Sequence, residues 1–263
     1  MSLLICIDAG HYMGTPGKRC LKSIDPRETR EWLLNGRVAD KVQERLSSYD
    51  CRTMRVDDVT GQREVSLLER VNAANMADAD IYLSIHHNAG VCGGSGGGIV
   101  VYVAPGVGAA TVSLQKAVYE HAVAATGLRG NRSNPLGVAS FYVLKYTKMS
   151  AVLGEFGFMD STTDTPIILT EDYADKLADG IVAALVEKYQ LKEVETVTYE
   201  QWKEYMERYR KELAAKEATM PALVADAVAF GISSDGSRPG DLMTREEGMV
   251  MARAAVMAAF SGD

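Results

Sequence analysis

Four side chains in this 263-residue sequence could together carry out hydrolytic chemistry at a metal ion. His11 follows the apolar run "LLICID", His86 stands in "SIHHN", Glu155 lies inside "VLGEFGF", and Glu31 belongs to a segment with helical periodicity. Two imidazoles and one carboxylate are the ligands of a catalytic zinc ion that keeps a fourth position open for water. A further carboxylate can then act as a general base toward that water.

Each of these residues also has a structural interpretation when it is taken singly. A histidine at a strand end is commonly a packing residue, and a glutamate on a helix commonly faces solvent. Glu155 is different, because a carboxylate inside an apolar run is costly to bury unless it is paired or functional. His86 and His87 are neighbours on a predicted strand and point to opposite faces, so at most one is expected to enter a common site.

Apolar periodicity predicts an alternation of strands and helices over residues 1–190. The predicted strands are 3–8, 51–56, 80–88, 99–105, 139–146 and 151–158, and the predicted helices are 27–47, 66–77, 108–126 and 170–189. This alternation favours an α/β fold in which helices flank a mostly parallel central sheet. Ligands of such sheets bind beyond the carboxyl ends of the strands, which is where His11, His86 and Glu155 fall.

The composition becomes strongly charged after residue 190, which we take as the end of the first domain. Residues 191–219 are predicted to form a charged helical connector. Its apolar stripe consists of Trp202, Tyr205, Met206, Tyr209 and Leu213. We expect this stripe to pack on neighbouring protein, with a homodimer through the C-terminal helical region as the alternative. Residues 220–263 are predicted to form a small all-α module.

The overall composition is that of a globular protein that does not bind nucleic acid. Hydrophobic residues make up 47% of the chain and the net charge is −7, without the basic cluster that phosphate binding requires. The four cysteines match neither zinc-binding nor dense disulfide spacings. No segment has the roughly 18 apolar residues of a membrane span, and no signal peptide is recognisable. We therefore expect the chain to accumulate in the cytosol.

Four stretches resemble the zinc-dependent N-acetylmuramoyl-L-alanine amidases of the amidase-3 family, and they occur in the family's order. They are "IDAGHYMG", "EWLLNGRVADKVQERL", "SLLERVNAANMADADIYLSIHHNAG" and "YVLKYTKMSAVLGEFGFMDSTTD". The resemblance covers most of residues 3–189, and the family comprises cell-wall hydrolases of bacteria and phage endolysins. Ala9 stands where the family commonly has proline and Tyr12 where it has glycine, so the loop after His11 is expected to differ in shape.

The resemblance implies a role for each of the four chemical residues. His11, Glu31 and His86 would bind one catalytic zinc ion, and Glu155 would be the catalytic carboxylate. Glu28, three residues before Glu31, is the alternative helical ligand, although the asparagine four residues after Glu31 matches the family's motif. His87 is left out of the ligand set, because the family usually has a small residue at its position.

The implied function is hydrolysis of peptidoglycan at the amide between N-acetylmuramic acid and L-alanine of the stem peptide. A zinc endopeptidase or carboxypeptidase acting on the stem peptide and a non-catalytic cell-wall-binding protein are the alternatives. Residues 222–256 resemble an S-layer-homology repeat, which implies cell-wall binding or dimerisation for the C-terminal module. With no recognisable signal peptide, we expect a phage or prophage endolysin that reaches the wall after release during lysis.

Overall fold

The structure is a computed structural model that describes residues 2–194 and 199–215. The chain divides into two compact units, residues 1–194 and 195–263. The strands described in the first unit are β1 Leu3–Ala9, β2 Cys51–Arg55, β3 Ile81–Asn88, β4 Ile99–Val103, β5 Leu136–Val138 and β6 Ser150–Phe158. Its helices are α1 Glu31–Leu46, α2 Leu67–Met76, α3 Ala109–Thr126, α4 Tyr142–Tyr146, α5 Thr165–Ile168 and α6 Glu171–Tyr189.

The six strands form one sheet with the order β2-β1-β3-β6-β4-β5. Four neighbouring pairs are parallel, and only the β4–β6 pair is antiparallel. The central strands β1, β3 and β6 are buried almost throughout, as expected for parallel strands that are covered on both faces. The predicted α/β fold with a mostly parallel sheet is confirmed.

Helices cover both faces of the sheet and create two hydrophobic cores. On one face, Ile5 and Ile85 pack with apolar residues of α1, α3 and α6. On the other face, Cys6, Tyr82 and Leu153 pack with residues of the shorter helices α2 and α4. Because successive strand residues alternate between faces, the same division also determines which polar residues of the strands lie on the same face of the sheet.

Helix α1 begins four residues later than predicted. Residues 27–30 lie in a tight loop, because both carboxylate oxygens of Asp25 accept hydrogen bonds from the backbone N–H groups of Arg27 and Thr29. Glu28 has a φ of 50°, which a helix does not tolerate. The predicted helical residues before Glu31 therefore belong to the loop that leads to the helix.

The prediction of a strand over residues 139–146 was wrong. Residues 142–146 form the short helix α4, in which the rings of Tyr142 and Tyr146 lie 4.5 Å apart, four residues along the helix. The buried pair in this helix, Val143 and Leu144, packs into the second core. The three-residue strand β5 was not predicted.

The described part of the second unit is helix α7, Tyr199–Ala215, which lies within the predicted helical connector. The rings of Tyr199 and Trp202 stack with their centroids 5.8 Å apart. The predicted module at residues 220–263 lies outside the described residues. No helix in the described ranges has the length and apolar character needed to cross a lipid bilayer.

Candidate metal centre

The chain turns sharply at the end of β1, and the turn presents His11. The Gly10 N–H donates to the carbonyl oxygen of Ile85 on β3 at 3.0 Å, and a Cβ at position 10 would lie 2.0 Å from the His86 ring. Only glycine therefore fits beside that ring. His11 itself has a φ of 68°, and Arg70 donates to its carbonyl oxygen at 2.9 Å. The guanidinium thus stabilises a backbone conformation that is uncommon for a residue with a side chain.

Glu31, the first residue of α1, is completely buried and lies between two histidines. Its Oε1 is 3.4 Å from Nε2 of His11 and 3.1 Å from Nδ1 of His86. Each of the three residues offers one ligand atom, and these atoms all lie within 4.8 Å of one another. The structure therefore brings together the three residues predicted to bind metal, which we call the triad.

Glu28, the alternative ligand, does not join the triad. Its carboxylate pairs with Arg19 at 3.2 Å, and the residue precedes α1 instead of lying one turn earlier on the same helix. The geometry therefore supports Glu31 as the carboxylate of this site.

Glu155 lies directly beside His86 in the sheet. The two residues are partners in the parallel register of β3 and β6, so their side chains leave the same face. Burial raises the pKa of Glu155 to about 7, although the neighbouring His86 acts in the opposite direction. A carboxyl group with a pKa near neutrality can both accept and return a proton under physiological conditions.

Three polar atoms of this site are buried without a hydrogen-bond partner. They are Nε2 of His11, Oε2 of Glu31 and Oε2 of Glu155. Buried polar atoms are normally satisfied, so such atoms need an explanation. A cation between the histidines and Glu31 would supply the missing partner, and two nitrogens with one carboxylate oxygen are a suitable donor set for zinc. The residues present therefore fit a metal ion.

Contacts within the site shift the pKa of each triad residue. Burial would lower the pKa of His86, but its contacts with Glu31 and Glu155 outweigh burial and raise it. Burial alone would raise the pKa of Glu31, but the contacts with His11 and His86 outweigh it and hold this pKa well below its ordinary value. Burial lowers the pKa of His11, which favours the neutral imidazole that a metal requires. The ammonium group of Lys18 lies 3.5 Å from Oε2 of Glu31 and adds a positive charge at the partly exposed edge of the site.

His87 enters the opposite face of the sheet, as its position next to His86 predicted. Its Nδ1 lies 2.8 Å from Oδ1 of Asn35 on α1. Burial lowers the pKa of His87 to about 3, so the ring is neutral. His87 is therefore not part of the triad.

Sequence reasoning did not single out Arg70, which is buried behind the site. Its guanidinium pairs with Asp8 and also donates to the carbonyl oxygens of Ala9 and His11. One signal in the sequence could have revealed it. Arg70 shares a helical face with Val71 and Ala74, and an arginine on a buried helix face needs a buried partner.

Fold and site together define a class of protein. A mostly parallel α/β sheet carries two histidines and a buried glutamate near the carboxyl ends of its central strands, with a second carboxylate beside them. This is the architecture of an α/β protein with a hydrolytic metal centre.

The chain belongs to the amidase-3 family, described as N-acetylmuramoyl-L-alanine amidase, which matches residues 5–187. The amidase CwlM of Bacillus licheniformis is 32% identical over 177 residues, which are 66% of this chain and 63% of that protein. The endolysin of Bacillus phage SPP1 is 28% identical over 193 residues, which are 73% of this chain and 68% of that protein. The chain spans 63% and 49% of the lengths of two curated relatives, CwlM and a sporulation-specific amidase of Bacillus subtilis.

Solved structures of similar proteins have the same fold. The N-acetylmuramoyl-L-alanine amidase of Clostridium difficile 630 superimposes with a TM-score of 0.64 at 27% identity, covering 72% of this chain and 97% of that one. The catalytic domain of CwlV from Bacillus (Paenibacillus) polymyxa has the same TM-score at 24% identity, with coverages of 72% and 99%. The family resemblance inferred from the four sequence stretches is confirmed.

Proposed function

We propose that this chain is a peptidoglycan hydrolase that cleaves the amide between N-acetylmuramic acid and L-alanine of the stem peptide. Membership of the amidase-3 family supports the choice of bond, and the amidase names of several relatives agree with it. The observation that carries the proposal is the geometry of the triad, with Glu155 in register beside His86.

His11, Glu31 and His86 would hold a single zinc ion through one atom each. Zinc in such a site supplies Lewis acidity toward the scissile carbonyl and activates water by lowering the pKa of the bound water to about 7. The chain's contribution is to present two imidazoles and one charged carboxylate at fixed positions. Acid should therefore weaken metal binding, because protonated histidines cannot act as ligands.

Glu155 would move the proton in the reaction. Its carboxylate accepts a proton from the attacking water as the new C–O bond forms at the lactyl carbonyl. The same group then donates this proton to the alanine nitrogen as the C–N bond breaks, which leaves a carboxylic acid and a free amine. The pKa of about 7 is suited to both halves of this exchange.

Digestion of purified peptidoglycan tests the proposal. We expect new N-terminal alanine, no new reducing sugar ends, inhibition by a chelator and recovery on addition of zinc. New amino termini elsewhere in the stem peptide would indicate a zinc endopeptidase, and release of its C-terminal residues would indicate a carboxypeptidase. Binding to walls with no bond cut would indicate a non-catalytic cell-wall-binding protein.

Action on the cell wall after release during lysis, as in a phage or prophage endolysin, is part of this proposal. The relative in phage SPP1, named as an endolysin, supports it. We further propose that residues 220–263 attach the protein to the wall. Sedimentation with purified walls should then be stronger for the full chain than for residues 1–194, which form a compact unit. A homodimer through the C-terminal helical region stays a prediction.

A further inference from the structure

Asn35 contacts all three chain segments that carry the triad. Its amide nitrogen Nδ2 lies 3.0 Å from the carbonyl oxygen of Gly10, the residue before His11. The same nitrogen lies 3.5 Å from Oε1 of Glu31, one helical turn earlier. Its oxygen Oδ1 lies 2.8 Å from Nδ1 of His87, the residue after His86. The Asn35 side chain is fully buried, so water does not compete for these contacts.

The directions of these hydrogen bonds follow from the chemistry of the groups. A carbonyl oxygen can only accept, so the NH₂ group of Asn35 must face Gly10. Its oxygen then faces His87 and needs a donor there. Nδ1 of His87 must therefore carry a hydrogen, because Oδ1 of Asn35 can only accept.

His87 also contacts the triad through its backbone. Its N–H donates to Oε1 of Glu31 at 3.3 Å. Asn35 and the His87 backbone thus provide two N–H groups to Oε1, while Oε2 faces the Lys18 ammonium group at 3.5 Å and has no hydrogen-bond partner among the described residues. When both donors bind the same oxygen, they fix the rotation of the carboxylate and leave its other oxygen without a hydrogen-bond donor.

We propose that Asn35 and His87 form a positioning pair that holds the triad in its metal-binding arrangement before the metal arrives. The pair joins β1, α1 and β3 through one amide, so the three ligands do not have to be ordered at the moment of binding. This inference rests on the metal centre of the proposed function. Groups that orient metal ligands in this way typically contribute about 10–100-fold to metal affinity.

Zinc affinity of the full chain tests the pair without any substrate. The dissociation constant is measured by competition with a chromophoric chelator for the unsubstituted chain and its variants. His87→Leu keeps a bulky side chain but removes the N–H, and we expect zinc binding to weaken by about 10–100-fold. Asn35→Ala should have a similar effect. His87→Asn places an N–H close to where Nδ1 stood, and it should restore most of the affinity.

Two further variants separate positioning from packing. Val38→Ala removes buried volume from α1 without touching the triad, so it should lower the melting temperature of the metal-free chain and leave zinc affinity unchanged. The double variant of Asn35→Ala and His87→Leu should lose no more affinity than the weaker-binding single variant, because the two residues act as a unit.

Several results would overturn the inference. One is that the Asn35→Ala and His87→Leu chains bind zinc as tightly as the Val38→Ala chain. Another is that the His87→Asn chain binds zinc as poorly as the His87→Leu chain. If His87→Leu fails to fold, the comparison of Asn35→Ala with Val38→Ala decides the question. Absence of zinc binding by the unsubstituted chain would overturn the proposed metal centre, and this inference with it.

Discussion

Two buried polar clusters lie next to each other in this sheet, and they differ in how their atoms are satisfied. The Asp8 cluster consists of Asp8, Arg70, Tyr82 and Ser84. Asp8 accepts hydrogen bonds from Tyr82 and Ser84 at 2.9 and 2.8 Å and pairs with the Arg70 guanidinium. The triad, only two residues further along β3, keeps atoms without partners.

Two buried carboxyl groups on the same face of the sheet therefore have opposite pKa shifts. At Asp8, burial would raise the pKa, but Arg70 outweighs it and the carboxylate stays charged. At Glu155, the nearby His86 and Lys18 do not outweigh burial, and the pKa rises to about 7. A satisfied cluster stabilises the fold, whereas an unsatisfied one is available for a ligand or a proton. Arg70 connects the two clusters, because it also holds the His11 carbonyl.

The largest effect should come from removing a member of the triad. Glu31→Gln takes away the charged ligand between the two histidines, so zinc binding and amide hydrolysis should both fall to background. Metal content and release of N-terminal alanine measure the two losses. Glu28→Gln is the matched control, since Glu28 pairs with Arg19 outside the triad, and it should behave like the unsubstituted chain. A Glu31→Gln chain that still binds one zinc ion tightly would contradict the ligand assignment.

A somewhat smaller loss is expected when Glu155 is changed and the triad is kept. Glu155→Gln preserves size but cannot accept a proton, so hydrolysis should slow by about 10²–10⁴-fold. Zinc content should stay at the level of the unsubstituted chain, because Glu155 lies outside the triad. Unchanged turnover would remove Glu155 from the mechanism.

Changing the Asp8 cluster should affect stability more than metal binding. Asp8→Asn leaves the buried Arg70 guanidinium without its counter-charge, which should lower the free energy of unfolding by about 3–5 kcal/mol. Urea denaturation of the metal-free chain measures this change. Its zinc affinity should fall much less than that of Glu31→Gln. A larger loss of zinc affinity in the Asp8→Asn chain than in the Glu31→Gln chain would mean that the two clusters are not separate in function.

The smallest effect is a pH dependence of stability that originates at Glu155. Between pH 4.5 and about 7, folded Glu155 holds a proton that the unfolded chain has released, so the folded state binds more protons. This group should therefore lower the free energy of unfolding as the pH rises through that range, by on the order of 3 kcal/mol.

The metal-free Glu155→Gln chain isolates this contribution. The difference in unfolding free energy between the two chains, measured by urea denaturation from pH 5 to 8, should grow with pH in favour of the variant. A constant difference would show that Glu155 has an ordinary pKa in the folded chain.

Much of the sheet could be predicted because its signals are local. The apolar runs of β1, β3, β4 and β6 are bounded by polar or glycine residues. They occur along the chain in an order that resembles that of the amidase-3 family. Residues 139–146 misled the prediction, because tyrosine, phenylalanine and valine favour strands in general. Residues 142–146 form a helix because the helix buries both Val143 and Leu144 in the second core. Strand β5 has three residues and exists through its pairing with β4, which no local pattern reveals.

The sequence by itself determined which residues have the chemistry for a metal site. It contains His11, Glu31, His86 and Glu155 in the family's order, and the alternation of strand residues separates His86 from His87. Only the tertiary structure showed that Glu31, and not Glu28, lies between the two histidines, because Asp25 closes a loop that ends just before α1. It also brought Asn35, Arg70 and Asp8 to the site. These contacts join residues far apart in the chain, and their energy depends on burial and distance, which exist only after folding.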